Sequence, residues 1–167
     1  MRAGIALGSN IEPRLLNLQA ASRGLFALHC GPQPILCSKV YETTPVDCPA
    51  GSQPFLNAVM ELTTDLPPWQ LLARLQAIEV SLGRPTTHEK NAPRAIDLDL
   101  IYCDQMTLSD PELTLPHPRL SLRRFVLQPL ADIRPHFIPP NFTENIEKLL
   151  SDTDPDKNFN VYCKSIY

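Results

Sequence analysis

The strongest constraint on the fold is a change of apolar period within residues 55–103, from two to about 3.6 and back to two. "FLNAVMELTTD" alternates, placing Leu56, Ala58, Met60 and Leu62 on one face and Phe55, Asn57, Val59 and Glu61 on the other. "PPWQLLARLQAIEVSLG" then opens on prolines, carries Leu71, Leu72, Leu75, Ile78 and Leu82 as a helical stripe, and closes at Gly83. "PRAIDLDLIYC" alternates again. Upstream, "AGIALG" reads as a buried strand, "GSN" as a turn, and a helix opens near Pro13, where proline suits a first turn. "ILCSKVYET" reads as a further strand. The expectation is one α+β domain spanning 1–150, an antiparallel sheet flanked by helices.

The last strand poses a problem of charge. Ile96, Leu98, Leu100 and Tyr102 share one face, and Ala95, Asp97, Asp99 and Ile101 share the other, so the two carboxylates project the same way. With Cα atoms roughly 6.6 Å apart, two full charges repel by about 2.5 kcal/mol at an effective dielectric of 20. Either a cation sits between them, or they line a solvent-facing edge where charge discourages pairing with another sheet. These eleven residues leave both readings open.

Glu79 poses a second problem. At about 100° per residue it falls within the apolar arc bounded by Leu72 and Leu75, with Gln76 at the edge of the stripe. An inward carboxylate needs a partner, because an unpaired buried charge is costly.

Composition removes several classes. No apolar run is long enough to cross a bilayer, and "MRAGIALGSN" lacks the pattern of a secretory signal, so a cytoplasmic protein is expected. Five scattered cysteines, never in a C-x-x-C pair, argue against a disulfide framework or zinc site and read as reduced, mostly buried thiols. The net charge of −3 disfavours wholesale nucleic-acid binding. Yet Arg84, Lys90, Arg94, Arg119, Arg123 and Arg124 gather around the aspartates, which suits a small polyanion; a solvated mixed-charge surface is the alternative. Neither G-x-G-x-x-G nor a P-loop is present.

Pro45 to Pro54 and Arg84 to Pro93 read as loops, the former mobile. A helix is expected to end near Pro135, and Asn141 with Glu144 has the look of a capping box. After Ser151, "SDTDPDKNFN" reads as a frayed polar tail over 151–167.

Mg²⁺ is held by one or two carboxylates together with substrate phosphates and waters, which Asp97 and Asp99 would suit. Arg84, Arg94 and Arg123 could clamp phosphate oxygens, with His117 adding a hydrogen bond. With "ALGSN", "SKVYETTP", "FLNAV", "IE...LGR", "PRAIDLDL" and "LPHPRL...RRFVLQPL" in this order, the chain resembles the 6-hydroxymethyl-7,8-dihydropterin pyrophosphokinase family of folate-pathway enzymes. The resemblance extends to about Pro135 and implies a ferredoxin-like α/β sandwich. It implies transfer of the β,γ-diphosphate of ATP to the hydroxymethyl oxygen of the reduced pterin, with AMP leaving and two Mg²⁺ ions held by Asp97 and Asp99.

Residue by residue, the resemblance implies catalytic roles for Arg84, Arg94, Asp97 and Asp99. It implies pterin contacts at Thr43, Val46, Phe55, Asn57 and Phe125, where the amide of Asn57 reads the pteridine edge and the two aromatic rings sandwich it. Nucleotide contacts fall on Gln76, Glu79, Lys90, Thr114, His117 and Arg123. Gly8, Ser9 and Asn10 read as a structural turn, and Arg124 as a solvated neighbour of Arg123. The loop "RPTTHEKNAPR" departs from many relatives by carrying Thr86, Lys90 and Asn91, and Lys90 keeps a charge without a planar fork. Both loops are expected to close over ATP to exclude water. A monomer with no membrane partner is expected. A D-x-D-dependent nucleotidyl or glycosyl transferase, disfavoured by length, and a non-catalytic pterin- or nucleotide-binding module are the competing readings.

Overall fold

The core is organised on β1 (Arg2–Ser9), which pairs antiparallel with β4 (Phe55–Thr63) on one side and with β5 (Asp97–Cys103) on the other. The computed structural model describes residues 1–45, 51, 53–84, 93–154 and 159–167. Beyond β4 the sheet continues through β3 (Val40–Thr43) to β8 (Asn160–Cys163), while β2 (Leu36–Cys37) adds a short pairing to β4. Among the described residues this makes six strands, with the path β5-β1-β4-β3-β8. With α1 (Arg14–Phe26) between β1 and β3, and α2 (Pro68–Ser81) between β4 and β5, the chain follows the βαββαβ order of a ferredoxin-like sandwich, as expected.

Each face of the sheet is covered. Ile5, Leu7, Leu56, Ala58, Met60, Leu62, Leu98 and Leu100 pack on Leu18, Ala21 and Leu25 of α1 and Leu71 and Leu75 of α2. The opposite face puts Val59, Ile101 and Tyr102 against α3 (Arg124–Ile133) and α4 (Ile146–Ser151), through Val126, Leu127, Leu130 and Ile146. Among the described residues, no helix is long and apolar enough to cross a membrane.

Strict alternation in the aspartate strand stops at Ile101. The register passes from Ile5 opposite Leu100 to Gly4 opposite Tyr102, so Ile101 is an extra residue and β5 bulges there. The bulge turns Tyr102 away from Leu98 and Leu100 and onto the α3 face, correcting the face assigned to it by period two. Its hydroxyl donates to Glu61 Oε2 at 2.5 Å, and Arg134 Nε donates to both oxygens of the same buried carboxylate at 3.1 and 3.0 Å. Gly4 makes room for the ring: a Cβ there would lie 2.3 Å from Tyr102 Cε1.

Other expectations need revision. "ILCSKVYET" is broken into β2 and β3 by Ser38, whose amide donates to Val59 O and whose Oγ accepts from Val59 N–H. The cap of α4 is Asn145, accepting from Lys148 N–H at 2.9 Å; Asn141 instead sits at φ +64°, outside any helix. Of the described cysteines only Cys103 is buried, while Cys30 is exposed. The supposed frayed tail returns to the sheet as β8, and Ile166 is buried in the main core. Its polar composition up to Asn160 hid this, because an edge strand needs only short apolar contacts.

The fit between Gly4 and Tyr102 predicts that Gly4→Ala destabilises the fold by about 1–3 kcal/mol through overpacking, measured by denaturant titration. Stability equal to the unmodified chain would contradict this packing.

Candidate active site

Asp97 and Asp99 stand at the start of β5, the outer strand beside β1, on the side of the sheet that α3 covers further along. Leu98 between them faces the other core. As an edge residue Leu98 has an outward N–H, and this donates to Glu79 Oε1 at 2.7 Å. The inward acid of α2 therefore has its partners: the edge amide and the Arg84 guanidinium. Glu79 is 4% exposed, and burial lifts its carboxyl above the ordinary range against the pull of the Leu98 amide and Arg84. Just past the end of α2, Gly83 with its φ of +96° reverses the chain and brings Arg84 back toward β5.

The two aspartates are held differently. Asp97 Oδ1 accepts from Arg84 Nη1 and from Arg94 Nη1, both at 3.1 Å. Asp99 Oδ2 accepts from Arg123 Nη1 at 2.7 Å. Burial pushes the Asp97 carboxyl up, and the neighbouring Asp99 charge pushes the same way; Arg94, Arg84 and Arg123 pull against them without reversing the direction. Asp97 Oδ2 and Asp99 Oδ1 accept no hydrogen bond from the described residues. The Arg94 Nε is buried and donates to nothing among them. Among the described residues, two carboxylate oxygens thus lack a donor beside an arginine whose Nε donates to none of them, a chemistry suited to a cation and an anion together. Among the described residues no group of three or more His, Cys, Asp or Glu side chains is placed to hold a metal. Two carboxylates on one strand face are oxygen donors of the type a hard ion takes, with water and phosphate oxygens completing its shell.

Arg94 is positioned from β1. Its N–H donates to Asn10 Oδ1 at 2.9 Å, and its carbonyl accepts from Asn10 N–H at 3.3 Å. Asn10 is buried and Ser9 belongs to β1, so "GSN" is not the simple turn expected from sequence. His117 lies beside Arg123, with Nε2 3.5 Å from Arg123 Nη1, and its Nδ1 accepts from Arg119 N–H. A ring accepting at Nδ1 carries its neutral-state proton on Nε2. Burial holds its pKa below the ordinary histidine value, Asp99 opposing and Arg123 and Arg119 reinforcing the drop.

One row across the sheet joins the two halves of the site. Asp97 pairs with Gly8, Gly8 with Asn57, and Asn57 with Tyr41. Asn57 and Asp97 are two strand spacings apart, about 10 Å between Cα atoms. Gly8 between them presents no side chain. A Cβ there would lie 3.2 Å from Asn57 Oδ1, 3.7 Å from Phe55 Cδ1 and 3.9 Å from Asp97 Cβ, so the glycine leaves a shelf bounded by an amide, an aromatic ring and a carboxylate. Gly8 is the residue that sequence reasoning missed. A glycine inside a strand pattern is the signal that could have marked it.

Asn57 is 6% exposed and donates Nδ2–H to Thr43 Oγ1 at 2.7 Å, which fixes its rotamer and leaves Oδ1 turned toward the shelf. Phe125, in the first turn of α3, lies under the Arg123 guanidinium at 5.5 Å. The structure thus gathers Thr43, Phe55 and Asn57 at the amide end of the row, and Glu79, Arg84, Arg94, Asp97, Asp99, His117 and Arg123 at the carboxylate end, with Phe125 against Arg123. Gln76 is exposed on α2, and the Thr114 hydroxyl donates to Asp110 O within the hairpin of β6 (Leu108–Ser109) and β7 (Thr114–Leu115); among the described residues neither hydrogen-bonds to this set. Val46 and Lys90, with Thr86 and Asn91, lie outside the described residues. Arg124 is not a solvated neighbour: it is half-buried and donates to Leu150 O and Thr153 Oγ1.

Comparison with known proteins identifies the family. The profile of the 7,8-dihydro-6-hydroxymethylpterin-pyrophosphokinase family matches residues 4–135. The 2-amino-4-hydroxy-6-hydroxymethyldihydropteridine pyrophosphokinase of Synechocystis sp. is 40% identical over 153 residues, 91% of this chain and 76% of that protein. The Bacillus subtilis protein of the same name is 41% identical over 131 residues, 78% of this chain and 77% of its own. Among solved structures, Plasmodium falciparum HPPK-DHPS superposes with a TM-score of 0.70 at 15% identity, a likeness of fold. That match covers 90% of this chain and 45% of the longer polypeptide. The chain belongs to the 7,8-dihydro-6-hydroxymethylpterin-pyrophosphokinase family, the pyrophosphokinases of folate synthesis.

Proposed function

We propose that this chain moves the β,γ-diphosphate of ATP to the hydroxymethyl group of 6-hydroxymethyl-7,8-dihydropterin and releases AMP. The observation that carries this reading is the row from Asn57 over Gly8 to Asp97. It supports a pterin lying on the shelf with its polar edge on the amide and its hydroxymethyl arm toward the carboxylates. The substrate oxygen then attacks the β-phosphorus and its hydroxyl proton is released to water. The bond from that phosphorus to the oxygen bridging the α- and β-phosphates breaks, and AMP departs with that oxygen.

Asp97 and Asp99 would hold two Mg²⁺ ions, which when bound neutralise triphosphate charge and make the substrate hydroxyl more acidic. The protein's own part is positioning and charge placement, which carry most of the catalysis in such transfers. Arg84 and Arg94 share one oxygen of Asp97, and both guanidiniums can turn to phosphate oxygens once the aspartate is otherwise neutralised. Glu79 keeps Arg84 aimed at the site from the buried side. His117, held neutral with its proton on Nε2, offers a donor beside Arg123 without adding charge. Thr43 fixes the amide of Asn57, while Phe55 and Phe125 supply faces for the heterocycle. Gln76, Thr114, Val46 and Lys90 complete the nucleotide and pterin contacts by family resemblance. In this reading the chain works as a monomer on two small molecules in the cytoplasm, with no nucleic-acid or membrane partner.

Incubation with ATP, Mg²⁺ and the pterin, followed by nucleotide separation, tests the reaction. Pterin-dependent AMP is expected. ADP would mean another kinase chemistry, and pterin binding without turnover a binding module. Asp97→Ala should lower kcat by about 10²–10³ or more, since it removes charge stabilisation at the transferring group. Gly8→Ala places a methyl on the shelf and should raise the pterin KM by about tenfold while leaving the ATP KM within about twofold. Equal shifts in both constants would remove the pterin from the shelf.

A further inference from the structure

The segment after α4 lies beyond the family match, which ends at residue 135, and the functional reading gives it no task. It is nonetheless built into both walls of the pterin end of the site. Val161 stands opposite Tyr41 and Asn160 opposite Glu42, so Phe159 enters the strand at the end of β3 that carries Thr43. The Phe159 ring packs on Tyr41 with centroids 5.0 Å apart. Tyr41 itself sits across from Asn57, the amide that Thr43 fixes.

On its other side, Phe159 meets α3. The Arg124 guanidinium lies 5.9 Å from the Phe159 ring centroid, and Arg124 Nη1 donates to Leu150 O at 3.3 Å and Thr153 Oγ1 at 3.0 Å. Arg124 opens α3, between Arg123 and Phe125. The far end of the segment is anchored independently, with Ile166 1% exposed and Tyr167 5.2 Å from Phe26. A four-residue strand such as β3 is a weak platform at a sheet edge, and β8 covers that edge.

We propose that Phe159 is a positioning residue for the pterin. Wedged between Tyr41 of β3 and Arg124 of α3, it sets the spacing between the strand that carries Thr43 and the helix turn that carries Phe125. This rests on the functional reading above, in which Thr43, Asn57 and Phe125 hold the pterin. Phe159 acts through those residues, so it governs pterin affinity rather than the phosphoryl chemistry at Asp97 and Asp99.

Two measurements on Phe159→Ala and Phe159→Tyr test it. In Phe159→Ala the pterin KM should rise about tenfold, with kcat and the ATP KM within about twofold, while Phe159→Tyr restores the pterin KM because an aromatic ring still fills the wedge. By hydrogen exchange, amides of β3 and of the first turn of α3 should exchange faster in Phe159→Ala, with those of β1 and β4 unchanged. An unchanged pterin KM, equal shifts in both KM values, or exchange that quickens uniformly or not at all would overturn the proposal. Absence of pterin-dependent turnover from the unmodified chain would overturn the functional reading instead, and the exchange pattern would still decide whether Phe159 spaces β3 from α3.

Discussion

A carboxylate at a sheet edge that accepts from two guanidiniums at once is the constraint on which this site depends. Asp97 Oδ1 gathers Arg84 from the end of α2 and Arg94 from the approach to β5, so three stretches of chain converge on one oxygen. Even so, burial and Asp99 keep its carboxyl above the ordinary range. The knot gathers the end of α2 and the approach to β5 around a carboxylate whose negative charge burial and Asp99 disfavour, and added positive charge beside it would offset that cost.

The remainder of the fold serves that edge and the shelf beside it. Glu79 satisfies the outward amide of Leu98 and holds Arg84, so an acid inside an apolar stripe is tied to the aspartate strand and its arginine. Asn10 clasps the backbone of Arg94 from β1. At the opposite end of the row, Tyr41 and the neighbouring Lys39 bind Asp132 of α3, and on the separate row through Gly4, Tyr102 and Arg134 bind Glu61. These polar ties fix how α3, and with it Phe125, sits over the sheet.

The layout of strands and helices, the shared face of Asp97 and Asp99, and the anomaly of Glu79 were legible in the sequence because each is a matter of period. What period cannot see was missed. A bulge at Ile101 moved Tyr102 to the other face, and nothing in an uninterrupted apolar run announces one extra residue. Gly8 looked like turn punctuation because its role lies in the side chain it lacks, between partners far away in sequence. The return of the chain as β8 was hidden by polar composition, since its fold is decided by pairing with β3 and by the single burial of Ile166.

The most direct measurement is a crystal structure of the chain with a non-hydrolysable ATP analogue, Mg²⁺ and the pterin. The account predicts metal density against Asp97 and Asp99, phosphate oxygens on Arg84 and Arg94 with both guanidiniums drawn off Asp97 Oδ1, and the pterin over Gly8 against Asn57. Arginines still locked on Asp97, with the nucleotide bound elsewhere, would contradict it.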